Sequence, residues 1–187
     1  MIGTKKYLMG KNNYFSDFTH PNQIYWLGFI CFSSFIYKEK LKIYFKDKKH
    51  LEKLSDELGV DFSMRKEGSW HCLVIQNTKI LKDIEKHQNE TFSENLVRHY
   101  WRGVLDAKGL VGPSFIKFKN DYETCEKFMN FCKIFVKSKA KVHKIGKDYV
   151  FSIKGKNAKK IINLLYVESN AHFDKFKNKA TENWDFI

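Results

Sequence analysis

The chain has 187 residues, and 43% of them are hydrophobic, which supplies a packed core and excludes a wholly disordered protein. Its 34 Lys and Arg against 21 Asp and Glu give a formal net charge of +13. A basic excess of this size favours a polyanionic partner, with nucleic acid ahead of an acidic membrane surface. A lysine-rich surface without such a partner is the alternative at this point.

Neither metal-binding nor membrane-spanning patterns are present in the sequence. Cys31, Cys72, Cys125 and Cys132 lie in apolar or amphipathic runs without CxxC spacing, so we expect buried thiols in a reducing compartment. The seven histidines are scattered and have no metal-ligand spacing. The longest apolar run, residues 24–32, is too short to cross a bilayer, and no secretory signal appears. These features indicate a soluble intracellular protein.

In chain order, the first half opens with a helix through YWLGFICFSS (25–34). The segments that follow alternate between strand and helix patterns: extended FIYKE, the alternating strand KLKIYFK, the helix KKHLEKLSDELG, the strands DFSMRK and SWHCLVIQN, and the short helix TKILKDIEKH. The sequence therefore predicts an α-β-β-α-β-β-α order for this half.

The second half repeats that order. YWRGVLDAKG (100–109) shares a Tyr-Trp-x-Gly core with the first helix at the same spacing. After it come extended GLVGPSFIKFKN, the helix NDYETCEKFMNFCKIFV, a hairpin AKVHKIGKDYVFSIKG turning at Gly146-Lys147, and the helix NAKKIINLLY. We predict an α+β protein of two pseudo-symmetric halves: residues 1–90 with an N-terminal lead-in, and residues 91–187 with a C-terminal tail.

Gly28 and Gly103 occupy equivalent positions in the middle of the two Tyr-Trp-x-Gly helices. Each glycine costs its helix about 1 kcal/mol relative to alanine. Close approach of one helix to the other would compensate for this cost. We therefore expect the two helices to pack at Gly28 and Gly103, as the interface between the halves.

The two motif segments resemble those of the LAGLIDADG homing endonucleases of the single-chain, two-repeat type. NNYFSDFTHPNQIYWLGFICFSS looks like the entry to a first motif helix, ENLVRHYWRGVLDAKG looks like the second, and IINLLY resembles a common ending. The resemblance covers residues 14–166. It implies two motif helices packed at a pseudo-twofold interface, and two four-stranded antiparallel sheets forming a saddle over a DNA major groove.

The resemblance also implies a catalytic centre that this sequence has lost. In the family, the last acidic residue of each motif holds a divalent metal near the scissile phosphates. Aligned on the glycines, those positions are Ser33 and Lys108, neither of which is a carboxylate. Asp106 matches the other acid of the motif, a position that is usually more structural. Phe32 replaces a small residue where the helices should touch.

The alternating strands place basic side chains on the face opposite the apolar one. A solvated sheet would alternate too, but nearly all of these outward positions carry positive charge, which favours phosphate contacts and some base readout. The predicted DNA-binding positions are Lys40, Lys42, Tyr44, Lys46, Arg65, Lys117, Lys119, Lys141, His143, Ser152 and Lys154. Trp70 and His71 are weaker candidates, because both faces of their strand are apolar.

The basic faces and the lost acids together favour a DNA-binding protein, derived from a homing endonuclease, that occupies a specific duplex site as a repressor or blocker without cutting. One alternative is an active endonuclease or nickase with a displaced ligand such as Asp106, Glu39 or Asp47. Another is a maturase-like RNA-binding protein. Loss of both acid positions fits a nickase poorly.

We expect a cytoplasmic monomer associated with nucleoid or organelle DNA, with internal pseudo-twofold symmetry and no membrane contact. Double-stranded DNA is its expected partner, and RNA is the second candidate. No cofactor is expected unless the nuclease alternative holds, in which case Mg²⁺ would be required. For the tail, with Phe173, Phe176 and Trp184, packing onto the body and a flexible basic arm are both open.

Overall fold

Two sets of helices and strands follow each other along the chain in the same order. The structure, a computed structural model, describes residues 13–59, 63–88, 92–167, 169 and 171–181. The first set comprises α1 (Pro21–Ser33), β1 (Ser34–Tyr37), β2 (Lys40–Phe45), α2 (Lys48–Leu58), β3 (Ser63–Glu67), β4 (Trp70–Ile75) and α3 (Thr78–His87). The second comprises α4 (Glu94–Lys108), β5 (Gly109–Gly112), β6 (Phe115–Asn120), α5 (Tyr122–Phe135), β7 (Val142–Ile145), β8 (Asp148–Lys154) and α6 (Gly155–Tyr166), and α7 (Asp174–Thr181) follows. The predicted element order is confirmed in both halves.

Each set of four strands forms an antiparallel sheet, in the order β1-β2-β4-β3 in the first half and β5-β6-β8-β7 in the second. The two orders are equivalent, which confirms the predicted α+β class with two pseudo-symmetric halves. The hairpin between β7 and β8 turns at Gly146, whose φ of +62° suits glycine. The predicted division between residues 90 and 91 falls within 89–91, which lie outside the described residues.

The central helices α1 and α4 pack backbone against backbone at their glycines. A Cβ built on Gly28 would lie 2.3 Å from the Tyr100 carbonyl oxygen, and one built on Gly103 would lie 2.1 Å from that of Tyr25. No other residue type can be accommodated at this distance without moving a helix. Phe32, near the C-terminal end of α1, is partly buried and reaches across to pack against the core of the second half.

Each half has its own hydrophobic core between its sheet and its helices. The first is built around Trp26 and the buried β2 side chains Leu41 and Ile43, and the second around Trp101 and Phe128. The strand alternation explains this arrangement, because one face of each sheet is apolar and is covered by helices.

The C-terminal segment joins the two cores. Ala171 and Phe173 pack against the first-half core, whereas Phe176 is buried in the second-half core. The tail therefore packs onto the body and includes α7, while Trp184 lies outside the described residues. Among the described helices, none combines the length and the apolar composition that crossing a bilayer requires.

Candidate nucleic-acid interface

The face of the first sheet that points away from the helices carries the predicted positions of β2. Leu41, Ile43 and Phe45 are buried toward the core, and the residues between them are partly exposed. Lys42 pairs with Phe35 on β1 and with Val74 on β4, and Tyr44 pairs with Cys72. Paired residues of an antiparallel ladder point to the same side. The outer face of this sheet is therefore defined by these rows.

Four more of the predicted or weaker candidates can be placed on this sheet. Arg65 pairs with Cys72 and is exposed on the outer face. Lys46 follows β2, and its Nζ lies 5.1 Å from the ring centroid of Trp70, which is 43% exposed. His71 pairs with Phe45 and therefore points to the opposite, helix-covered side. Trp70 thus joins the outer face and His71 does not.

The outer face of the second sheet gathers the other predicted positions. Lys117 pairs with Ser152, Lys119 and His143 both pair with Val150, and Lys154 pairs with Phe115. Lys141 is exposed just before β7, in the same alternation as His143. The structure thus collects all eleven predicted positions on two sheet faces, which are Lys40, Lys42, Tyr44, Lys46 and Arg65 on the first and Lys117, Lys119, Lys141, His143, Ser152 and Lys154 on the second.

Acidic side chains on these faces are more frequent than the strand pattern predicts. Glu67 accepts a hydrogen bond from the Tyr44 hydroxyl at 3.0 Å, and Asp148 lies 2.7 Å from the Lys119 ammonium. The hydrogen bond from Lys119 lowers the pKa of Asp148 below its ordinary value. A polyanion that contacts Lys119 must therefore compete with Asp148.

The two positions that correspond to catalytic acids are the last residues of the central helices. Ser33 ends α1, and its hydroxyl donates to the Phe29 carbonyl at 2.6 Å. Lys108 ends α4 and has an exposed side chain. Its ammonium group is stabilised there by the negative end of the helix dipole. The equivalence inferred from the glycines is thus matched by equivalent places in the fold.

These residues do not fit a divalent metal. A serine hydroxyl whose proton points at a helix carbonyl is a single, neutral oxygen ligand, and an ammonium repels a cation. Within the described residues, no three or more His, Cys, Asp or Glu side chains come together as metal ligands. The two helix ends therefore lack the ligands that metal-dependent hydrolysis requires.

Asp106 is a structural acid at the junction of the two halves and the tail. It is 2% exposed, and its oxygens accept from the Tyr25 hydroxyl at 2.8 Å, the Tyr166 hydroxyl at 2.7 Å and the Phe173 amide at 2.7 Å. Burial raises the pKa of Asp106 to about 6, against the opposing effect of these donors. Its contacts give the acid at this position a structural role.

Further polar residues that the sequence did not single out support this junction. The Tyr25 hydroxyl gives its proton to Asp106, so the contact of 2.9 Å to His50 is donated by the His50 Nε2. Burial lowers the pKa of His50 to about 3 and keeps it neutral. Arg102 is buried nearby and donates to the carbonyls of Ala171, at 2.7 Å, and Leu165, at 2.9 Å. Apart from the Tyr-Trp-x-Gly repeat, which contains Tyr25, no sequence signal marks these residues.

The three carboxylates considered as displaced metal ligands, Asp106, Glu39 and Asp47, lie on different elements of the fold. Asp47 caps α2 and accepts from the His50 backbone amide at 3.0 Å. Glu39 lies in the turn between β1 and β2 with a positive φ of 59°. Asp106 offers its oxygens to three donors inside the protein.

Two pseudo-symmetric halves, glycine-packed central helices and paired four-stranded antiparallel sheets define the LAGLIDADG homing-endonuclease fold. Comparison with solved structures confirms that the chain has the predicted LAGLIDADG homing-endonuclease-like fold. No family model and no curated protein sequence matches the chain.

Three solved structures illustrate the likeness. I-DmoI in complex with DNA and Ca superposes with a TM-score of 0.64 at 15% identity, over 93% of this chain and 98% of that one. I-WcaI bound to its DNA recognition sequence gives 0.53 at 14% identity, over 90% of each chain. Full-length DUF199/WhiA from Thermatoga maritima gives 0.60 at 12% identity, over 92% of this chain but 64% of its own. At these identities the likeness is one of fold.

Proposed function

We propose that the protein binds a specific sequence in double-stranded DNA and acts by occupying that site, as a repressor or blocker, without cutting it. Two basic sheet faces on this fold support duplex binding, because I-DmoI and I-WcaI have the same fold in structures that contain DNA. The net charge of +13 supplies the attraction to phosphate.

The observation that carries the second part of the proposal is that α1 ends at Ser33 and α4 at Lys108. Metal-dependent cleavage needs acids that concentrate cations between the DNA strands. A serine and a lysine at these two places do not provide them. In the bound complex, the Lys108 ammonium acts as a fixed positive charge beside the backbone phosphates, where the endonucleases would use a metal ion.

The proposed binding unit is one chain. Its two halves present equivalent sheets, and each sheet faces one half of the site. Repetition within the chain replaces the two subunits that a symmetric dimer would need. The two faces carry different side chains, so the two half-sites are expected to differ in sequence.

Selection of bound sequences from a random duplex pool tests the proposal, followed by incubation of the selected DNA with Mg²⁺ or Mn²⁺. We expect tight, metal-independent binding that leaves the DNA intact and weakens with salt, each phosphate contact adding about 0.9 to the slope of log affinity against log salt. Equal affinity for heparin and for every duplex would contradict specific recognition, and stronger binding to structured RNA would redirect the proposal.

Divalent-dependent nicking that survives stringent purification would contradict the non-catalytic part. The variants Glu39→Gln and Asp47→Asn would then test whether either carboxylate is the metal ligand responsible for nicking. Loss of nicking in Asp106→Asn is harder to interpret, because Asp106 holds three hydrogen bonds in the core.

A further inference from the structure

The outer face of the first sheet exposes three aromatic side chains among its lysines. Phe35 and Tyr37 on β1 are 52% and 50% exposed, and Trp70 on β4 is 43% exposed. All three belong to the outer rows, since Phe35 pairs with Lys42, Tyr37 with Lys40, and Trp70 lies two residues before Cys72. Large exposed apolar groups on one face mark a contact surface.

Neighbouring side chains hold these rings in place. Phe35 stacks on Tyr44, with centroids 5.6 Å apart and planes 9° apart. The ammonium groups of Lys42 and Lys38 lie 5.0 and 5.3 Å from the Tyr37 centroid, and that of Lys46 lies 5.1 Å from the Trp70 centroid. The positive charges that favour a polyanion are thus interleaved with the apolar rings.

A shallow cavity opens on the same face. Its volume is about 180 Å³, and it is lined by Tyr37 and Val74, by four cations that include Lys42 and Arg65, and by one acid, Glu67, which accepts a hydrogen bond from Tyr44. An apolar wall next to cations matches a ligand that carries a small apolar group close to phosphates.

The second sheet differs in this respect. The large apolar side chains exposed on its described outer face are the aliphatic Leu110 and Ile145, each on an edge strand. Its middle strands present Lys117, Lys119 and Ser152, and the one aromatic ring described there, that of Phe115 opposite Lys154, is half-buried. The two faces therefore offer different chemistry to the two halves of a DNA site.

Thymine supplies the apolar group that the first sheet can recognise. In the major groove, guanine, adenine and cytosine present hydrogen-bonding atoms, whereas thymine adds a 5-methyl group. A ring placed against polar base edges strips them of water without replacing their hydrogen bonds. Against thymine methyl groups, the same ring buries apolar surface on both partners.

We infer that the half-site under the first sheet is rich in thymine and is read through its 5-methyl groups by Phe35, Tyr37 and Trp70. This inference rests on the proposed binding to duplex DNA. The interleaved lysines neutralise the flanking phosphates, and the rings supply the discrimination.

Replacement of thymidine by 2′-deoxyuridine tests the inference, because it removes the methyl group and leaves base pairing unchanged. Dissociation constants are measured for the selected duplex with the replacement in neither half-site, in each one, and in both. We expect the replacement in one half-site to weaken binding by about 4-fold for each contacted methyl group, and a smaller effect in the other half-site.

Variants assign the effect to the first sheet. In Phe35→Ala/Tyr37→Ala and in Trp70→Ala, the loss caused by 2′-deoxyuridine in the sensitive half-site should shrink. The matched control Leu110→Ala/Ile145→Ala removes exposed apolar groups from the second sheet. In this control, the loss of affinity caused by 2′-deoxyuridine in the sensitive half-site should be the same as in the wild type. The wild-type comparison needs no variant, so it stands even if one of them fails to fold.

Several results would overturn the inference while leaving duplex binding intact. They are equal tolerance of 2′-deoxyuridine in both half-sites, a selected site without thymine in either half, or full sensitivity in the aromatic variants. Preference for a single strand over the duplex would also overturn it, since the rings would then stack on unpaired bases. Failure to select any duplex contradicts the proposed function itself.

Discussion

Lys108 bears on both parts of the proposed function, the binding of DNA and the absence of cleavage. It combines an exposed ammonium with a position at the C-terminal end of α4. A lysine here contributes about 0.3–1 kcal/mol to the helix through the dipole, so part of its effect is on stability. Its larger effect is expected in the DNA complex, where it faces phosphates.

Lys108→Ala should weaken binding to the selected duplex, and Lys108→Asp should weaken it more, since a carboxylate repels the phosphates. Added Mg²⁺ should recover part of the loss in Lys108→Asp only. Dissociation constants with and without metal measure this. Lys133→Ala, which removes another last-turn lysine, on α5, is the control and should bind normally. Unchanged affinity in Lys108→Ala would mean that this helix end does not approach DNA.

Asp106 makes stability depend on pH. Its folded pKa of about 6 lies above the ordinary 3.8, so the fold favours the protonated form. The associated stability is present below about pH 4 and is lost as the pH rises through about 6. The stability of the wild type relative to Asp106→Asn should therefore fall by up to about 3 kcal/mol between these limits. Urea unfolding at a series of pH values measures the difference, and a difference independent of pH would contradict the pKa.

The sequence was enough to align Ser33 and Lys108 with the acid positions of the motif, but not to predict the partners of Asp106. Ser33 and Lys108 follow from counting five residues beyond each glycine, which is a local relation. The hydrogen-bond partners of Asp106 lie 81, 60 and 67 residues away along the chain. Such contacts depend on tertiary packing, which no local pattern specifies.

The strands were predictable from the sequence because burial on one face imposes alternation of apolar and polar residues. In β2 the buried residues are Leu41, Ile43 and Phe45, as the pattern required. Acids were the exception, since Asp148 reaches the outer face from the hairpin end and Glu67 from the end of β3. Turns and strand ends carry no alternation strong enough to predict their side.

The close packing of α1 against α4 at their glycines can be tested directly. In an open helix, Gly→Ala would stabilise by about 1 kcal/mol, whereas Gly28→Ala should destabilise the protein by about 1–3 kcal/mol because its Cβ meets a backbone carbonyl. Chemical denaturation measures the change. Gly155→Ala is the comparison variant. Its φ of +64° strains the backbone, but nothing lies within 4 Å of the added Cβ, so its cost should come from backbone strain alone and not from a steric clash. Stabilisation by Gly28→Ala would contradict the packing.

Alternate residues of one strand should have separable effects on binding and stability. Lys42→Ala and Lys117→Ala should each reduce DNA affinity and lower the salt slope by about 0.9 per lost phosphate contact, with stability changed by about 0.5 kcal/mol or less.

Ile43→Ala and Phe118→Ala, their buried neighbours, should instead cost about 2–5 kcal/mol of stability. Titrations at several salt concentrations, beside denaturation curves, compare the two pairs. Normal binding by both lysine variants would place the DNA surface elsewhere.

The C-terminal segment breaks the twofold repetition of the two halves. Phe173 contacts the Phe45 ring, with centroids 5.0 Å apart, and Lys53 on α2 lies 2.8 Å from Asp174. Amphipathicity alone left the position of this segment undecided, because it does not identify the surface that the apolar side covers. The segment reaches the first half through Phe173 and Asp174, while Phe176 is buried in the core of the second.

This return has a consequence for synthesis on the ribosome. All the strands and helices of the first half come from one continuous stretch of chain. The aromatic group around Phe45 and His50, however, lacks Phe173 until more than a hundred further residues have been made. Phe176, which belongs to the second-half core, follows only three residues later, so both cores wait for the same C-terminal segment. Until this segment emerges, the first half lacks the Phe45–Phe173 contact, which forms together with the hydrogen bond from the Phe173 amide to Asp106.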